Sequence, residues 1–375
     1  MQREPIGPRA GWREKVEALG LSYHTIGGDT YWDESACYRF SADEVDILES
    51  ATAELHARAL EAVDRVVAKR DFARLRIPDA FHDLVAASWR DREPSLYGRM
   101  DLSWDGHGDP KLLEYNADTP TALLEASVVQ WYWLQDAKPG ADQFNSIHEK
   151  LIDRWKAIRP RLASDGRVYF AGELDSAEDA GNLDYLRDTA LQAGLAPIAI
   201  AIADIGWDTR RFVDLEGRNI GSLFKLYPWE WLVREAFGPN LLGGTVRVIE
   251  PPWKMLLSNK AILPVMWEMF PDHPNLLAAS FDPGRFATDF VKKPLYSREG
   301  ANVSITTGDT VIDVDGDYGE EGFIWQAYHA LPSFDGRYAV IGSWVVGDDP
   351  AGVGVREDAS PVTRDTSRFV PHYFT

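Results

Sequence analysis

Hydrophobic and polar residues alternate through Ser95-Leu-Tyr-Gly-Arg-Met-Asp-Leu-Ser-Trp104. A period of two is that of a β-strand. It puts Tyr97, Arg99, Asp101 and Ser103 on one face and Leu96, Met100, Leu102 and Trp104 on the other. Asp105-Gly-His-Gly-Asp-Pro110 has the composition of a turn. The segment Lys111-Leu-Leu-Glu-Tyr-Asn116 then returns, with Leu112, Glu114 and Asn116 placed together. Pairing Trp104 with Lys111 across the turn sets Asp101 opposite Glu114 and Arg99 opposite Asn116. Any even shift of register keeps those four residues on one face.

Helices and further strands surround this hairpin. Ser41-Ala-Asp-Glu44 is a capping box, predicting a long helix to about Arg70. A second helix is predicted from Pro78 to about Trp89. A third is predicted from Thr119-Pro120, with proline in its first turn, to about Asp136. Residues 167–205 read as a βαβ unit: strand RVYFA, a helix capped by Ser176 and ended by Gly194, and the strand APIAIAIA. RFVDLEGRNIGSLFK reads as a hairpin and TVRVIE as a short strand. A helix from Lys260 to Phe270 and the strands FVKKP, ANVSI, TVIDV, GFIWQAY and YAVIGSWVV follow. This mixture of α/β and α+β elements predicts a multi-lobed enzyme rather than one doubly wound sheet.

The chain of 375 residues, 45% hydrophobic, is long enough for a large core. Its net charge of -20 disfavours nucleic acid and anionic membranes as partners. One cysteine, Cys37, excludes an internal disulfide, and the eight histidines form no zinc motif. Walker A, G-x-G-x-x-G and G-x-S-x-G patterns are absent. The N-terminal MQREPIGPRAGWREK has no apolar leader, and no run approaches the roughly 20 apolar residues of a membrane span. The expected location is the cytoplasm.

The hairpin carries the first candidate chemistry. Two carboxylates directly opposite on a sheet face repel each other. A divalent cation between them removes the conflict, and Asp101, Glu114 and the Asn116 carbonyl are hard oxygen ligands of the kind magnesium takes. Arg99 on the same face would meet a transferring phosphoryl group. The plainer alternative is a charged, exposed hairpin face. Ala117-Asp-Thr-Pro-Thr121, at the predicted helix start, offers free N–H groups to an anion, unless Asp118 or Thr119 merely caps the helix. Lys260 stands where a helix N-terminus disfavours a cation, which fits a bound anion nearby or a snorkelling surface lysine. Lys293 precedes a short polar loop suited to covering phosphates. Phe323–Tyr328 would border adenine or form a core strand. Pro228-Trp-Glu-Trp231 and Pro251-Pro-Trp253 would wall a pocket or belong to the core.

RMD…LEYNADTPT, FKLYPWEW, IEPPWKMLLSNKAILP, VKKPLYSREGAN and WQAYHALP, in this order, resemble the glutathionylspermidine synthase family, in particular its stand-alone members without an amidase domain. The resemblance runs from about Gly11 to the C-terminus. It implies a circularly permuted ATP-grasp fold similar to eukaryotic glutathione synthetase. The expected unit spans residues 1–375, with helices and the metal hairpin in 1–165, a pre-ATP-grasp-like α/β lobe in 166–255, and an ATP-binding lobe and lid in 256–375. The implied reaction activates a carboxylate as an acyl phosphate with ATP and joins it to an amine such as a polyamine. By motif, Asp101, Glu114 and Asn116 match magnesium ligands. Two ions are expected, one on Asp101 and Glu114 and one on Glu114 and Asn116. Arg99 and Arg356 match active-site arginines, and Lys260 and Lys293 match ATP-phosphate lysines. Glu299 and Gly300 fall in the loop over the phosphates, and Gln326, Ala327 and Tyr328 in the adenine hinge. Glu178 and Asp179 align with substrate contacts. Thr119 and Thr121 stand where the family has serines, and Trp231 where it has threonine, so substrates other than glutathione are expected. The other functional readings are a nucleotide-binding relative without catalysis, an amino-acid or peptide ligase that uses no polyamine, and a carbohydrate hydrolase acting through Asp101 and Glu114.

Overall fold

The computed structural model describes residues 1–375. The hairpin forms as strands Tyr97–Ser103 and Lys111–Asn116. It is one edge of an antiparallel sheet that continues through Arg337–Val346, Asp349–Asp358 and Arg368–Val370. The metal hairpin of the first third is thus hydrogen-bonded to the last strands of the chain. Helix Ala42–Lys69 packs on this sheet, and the predicted capping box is present at Ser41 and Glu44. Its Val45, Leu48, Leu55, Ala59, Val63 and Val66 recur at helical spacing and are buried. Burial of each large side chain stabilises by about 1.5–3 kcal/mol.

A second antiparallel sheet runs in the order Ala279–Ser280, Phe323–Ala327, Phe290–Pro294, Ser304–Thr307, Thr310–Asp313. A parallel sheet runs Arg247–Ile249, Ser222–Leu226, Arg167–Gly172, Ala196–Ala201, with the predicted βαβ helix at Ala177–Gln192 capped by Ser176. No helix is long and apolar enough to cross a membrane.

Several local expectations are corrected. The helix predicted from Thr119 begins at Leu123, as a π-helical turn Glu125–Val129 followed by Gln130–Ala137. Residues 117–122 are irregular because Ala122 has a positive φ of 64° and Asp118 is engaged elsewhere. The hairpin predicted at 211–225 closes only at its turn, where Val213 bridges Asn219 and Ile220 N–H donates to Phe212 O. Phe212–Val213 pairs with Gly206–Trp207, whereas Ser222–Leu226 joins the parallel sheet. All five residues of Ser222–Leu226 are buried, which suits a central parallel strand. The helix predicted from Lys260 is Ile262–Met269, and Lys260 sits in the turn before it, where the Asn259 side chain accepts the Ala261 N–H. The sheet Gln2–Pro5, Ala36–Phe40, His372–Phe374 had no predicted counterpart.

Candidate active site

In the hairpin, Asp101 faces Glu114 and Arg99 faces Asn116, as the alternation requires. The pairing then slips by one residue: Leu102 faces Leu112 and Ser103 faces Lys111. Trp104 therefore does not pair with Lys111. The extra residue is Leu113, a β-bulge. It also corrects the expected grouping, because Leu112 turns into the core beside Leu102 while Glu114 and Asn116 face the cleft. Gly342 lies opposite Asp101 on the neighbouring strand. A Cβ there would stand 2.8 Å from Arg99 Cδ, so this glycine leaves the trough in which the arginine lies.

The two carboxylates do not confront each other bare. Arg99 donates to Asp101 through Nε at 2.7 Å and Nη2 at 3.2 Å, and Arg356 Nη2 donates to it at 2.7 Å. Lys260 Nζ is 3.1 Å from Glu114, and Asn116 Nδ2 donates to Glu114 at 2.9 Å. The repulsion expected from the register is already balanced by arginine and lysine, so it does not by itself require a metal ion. Burial pushes the Glu114 carboxyl up, but the ammoniums of Lys260 and Lys293 outweigh this and hold it well below its usual range.

Lys293 is buried, its Nζ donating to Leu113 O at 2.8 Å and Gln326 Oε1 at 2.7 Å. Burial lowers its ammonium to about 8, against the pull of Glu114. Lys260 Nζ also donates to Ser297 O at 2.8 Å. Four cations (Arg99, Arg356, Lys260, Lys293) thus surround two acids (Asp101, Glu114), while Glu178, Glu299 and Asp365 line the same cleft with Arg298 and Arg364.

Two chambers meet at Asp101 and Glu114, each of about 120 Å³. One holds Lys260 and Lys293 between apolar walls of Val291, Ile305, Val340 and Val362, with Tyr328 and His329 at its edge. The other is polar, with Arg99, Asn116, Thr119, Thr121, Glu178 and Arg356. Ser297, Glu299 and Gly300 line both. Gly300 has φ 73°, and a Cβ there would stand 2.5 Å from Val362, so the loop lies directly on the C-terminal segment.

The structure gathers most, but not all, of the expected residues. Gln326 and Ala327 lie on a strand beside the lysine chamber without lining it. The N–H groups of Ala327 and Tyr328 donate to Ala278 O and Asp289 O, so neither is free for a base. Asp179 lies outside both chambers, its carboxyl pushed up to about 6 by burial and by Glu178 and Glu173. Trp231 also lines neither chamber. It stands behind Arg298, whose guanidinium carbon is 5.6 Å from the ring centroid. Trp229 and Trp253 are buried, which decides for the core reading. Asp118 does not cap the helix that follows it in the chain and lines neither chamber. It forms a buried pair with Lys225 at 2.5 Å and accepts the Trp229 N–H at 2.8 Å.

Several lining residues were not foreseen. Arg298 reaches the polar chamber, donating to Thr119 Oγ1 at 2.6 Å. Its place in the Ser-Arg-Glu-Gly loop was the available signal. Tyr31, Arg364 and Asp365 also line it, and nothing local in the sequence marks them.

The family model described as glutathionylspermidine synthase pre-ATP-grasp matches residues 3–375. A Haemophilus influenzae protein provisionally named an acid–amine ligase is 42% identical over 373 residues, 95% of either chain. The bifunctional glutathionylspermidine synthetase/amidase of Escherichia coli is 28% identical over 96% of this chain, which spans 63% of that protein. In fold, a glutathione synthetase-like effector from Globodera pallida superposes with a TM-score of 0.60 at 10% identity, covering 97% of this chain and 96% of its own. The expected ATP-grasp architecture is therefore present. With the whole length matched, the chain belongs to the glutathionylspermidine synthase pre-ATP-grasp family of ATP-dependent C–N ligases.

Proposed function

We propose that this chain uses ATP to activate a peptide-like or amino-acid-like carboxylate as an acyl phosphate and joins it to a cationic amine such as a polyamine. The observation that carries the reading is the meeting of the two chambers at Asp101 and Glu114. An apolar, lysine-bearing chamber suits a nucleotide, and a polar one suits the reacting acid and amine.

The residues present fit magnesium. Asp101, Glu114 and Asn116 offer hard oxygen donors in one place. No cluster of three or more His, Cys, Asp or Glu surrounds them, so phosphate oxygens and water would complete the coordination. Asn116 presents its Nδ2 to the acids, and a half-turn of its amide would aim the oxygen instead. These three residues would hold two magnesium ions, which supply charge neutralisation on the transferring phosphate.

The chain's own residues do the rest. Lys260 and Lys293 bind the phosphates, exchanging Glu114 and Gln326 for phosphate oxygens. Arg99 and Arg356 turn from Asp101 toward the phosphoryl as it moves from ADP to the carboxylate oxygen. Glu178 and Glu299 hold the amine. Burial pushes both carboxyls up, and at Glu299 neighbouring Asp365 and Glu178 add to the effect, a state that a cation relieves. The reacting nitrogen, deprotonated while the amine's other charges stay on the carboxylates, attacks the acyl carbon; phosphate leaves and takes the proton that the nitrogen sheds as the amide forms. Segment Ser297–Ala301 covers the junction and keeps water from the acyl phosphate.

Phosphate release from Mg-ATP, screened over pairs of acids and amines, tests the reading. Asp101→Asn and Glu114→Gln are each expected to lower turnover by at least a thousandfold with the fold intact. Turnover retained in either variant removes the metal assignment.

A further inference from the structure

Parallel sheets are normally covered on both faces. The parallel sheet here is covered by a full helix on one face only, where Phe170 and Phe224 pack toward Ala177–Gln192. The face carrying Leu223 lies under the segment from Ile202 to Val246. That segment's helices are the single turn Trp229–Leu232 and the short 3-10 stretches Ile202–Asp204 and Gly238–Gly243. A cavity of about 310 Å³ remains beneath them, walled by Ile205, Phe212, Leu223, Leu232, Leu241 and Val246.

Glu173, Ile202 and Tyr227 line this cavity, and each is the first residue after the carboxyl end of a strand. The sheet order reverses between Arg167–Gly172 and Ser222–Leu226, and ligands of open α/β sheets bind outside the carboxyl ends at such a switch. Phe237, which lines it, is 43% exposed, and Leu174, Trp231 and Leu242, at 38, 39 and 44%, each adjoin a lining residue in the chain. Side chains of this size left in water together mark a site that binds something apolar. The mouth is acidic: Glu173 makes no ion pair, and Glu235 accepts only the Tyr227 hydroxyl.

The cavity and the polar chamber share no lining residue, but a relay of packed side chains stands between them. Tyr227 packs on Trp231, Trp231 backs Arg298, and Arg298 lines the polar chamber. We propose that this cavity is a subsite for the acid substrate, taking a bulky aliphatic or aromatic side chain while Glu173 pairs with the neighbouring free ammonium. Its role as a substrate subsite rests on the ligase reading. The substrate class is then a short peptide or aminoacyl compound with an apolar residue at its amino end and the reacting carboxylate at the other.

Calorimetric titration of the full chain with phenylalanylglycylglycine and with triglycine, without ATP, tests the cavity. The aromatic peptide is expected to bind at least tenfold more tightly. Ala203→Trp and Ala236→Trp place an indole at the mouth from exposed positions, so neither disturbs the core. Both are expected to erase that preference with an unchanged circular dichroism spectrum. Glu173→Gln is expected to weaken the aromatic peptide about tenfold and to leave its N-acetylated form unaffected. Equal binding of the two peptides, no binding of either, or a preference that survives both tryptophans overturns the proposal. Selective binding without phosphate release for any amine sustains the cavity and counts against the ligase reading. Phosphate release from small acids, undiminished in Ala203→Trp and without aromatic preference, does the reverse.

Discussion

Replacing Lys225 by methionine keeps the side chain's length and removes its charge. Lys225 and Asp118 are 0% and 1% exposed. The ammonium also donates to Tyr227 O at 2.9 Å and stands 4.7 Å from the Trp229 ring centroid. In Lys225→Met the Asp118 carboxylate stays buried with the Trp229 N–H and no cation in contact, an arrangement that costs about 3–5 kcal/mol. Asp118→Leu strands the ammonium in the same way. The double variant leaves no buried charge. It loses only the acceptor for Trp229 N–H and the donor to Tyr227 O, about 1–2 kcal/mol each. The two single losses therefore sum to far more than the double loss. Guanidinium unfolding followed by both circular dichroism and tryptophan fluorescence measures all four forms and tests whether the transition is two-state. The loop behind Asp118 supplies Thr121 O to Arg99 at 2.7 Å and Thr119 Oγ1 to Arg298, so the single variants should also raise KM for the acid. Single losses below about 1 kcal/mol, or a double loss equal to their sum, would refute this account of the pair.

Gly342→Ala places a methyl group 2.8 Å from Arg99 Cδ. The flexible arginine is expected to move off Asp101, lowering turnover at least tenfold while the melting temperature stays nearly constant; a wild-type rate would show that the trough is incidental. Deleting Leu113 removes the extra residue and leaves a regular strand in which Leu112 still faces Leu102 and Glu114 still faces Asp101. Magnesium-dependent phosphate release should persist with a raised KM for ATP, because Lys293 loses its acceptor Leu113 O; complete loss of release would show that the bulge itself sets the acid pair. Glu125 is fully buried, accepts the Tyr31 hydroxyl at 2.7 Å, and is pushed up to about 7 by burial and by Glu178. Its raised value means stability is complete below about pH 4.5 and falls as pH rises toward 7, by about 3 kcal/mol in all. Glu125→Gln should therefore match the wild type near pH 4 and exceed it at pH 8. Parallel curves across that range would contradict the buried, protonated acid.

What could be read from the sequence follows the reach of each physical rule. Period-two alternation needs only neighbours, and it placed Arg99, Asp101, Glu114 and Asn116 on one face in the observed pairing. The bulge at Leu113 was invisible because an extra leucine in a leucine pair leaves no trace in composition. Asp118 looked like a cap because its local setting suits one, whereas its partner Lys225 lies 107 residues away. The same distance problem hid the neutralisation of the acid pair: Arg356 reaches Asp101 only because Arg337–Val346 brings Asp349–Asp358 alongside the hairpin. That contact changes the logic of the site. If a metal ion were needed to quiet two opposed carboxylates, the hairpin would be unstable without it. With Arg99, Arg356 and Lys260 already balancing the acids, the site is stable before nucleotide arrives. A polyanion then has a physical task, which is to draw those cations away from Asp101 and Glu114. In this arrangement the nucleotide frees the very oxygens that would hold its metal, and phosphate and magnesium binding are expected to be cooperative rather than independent.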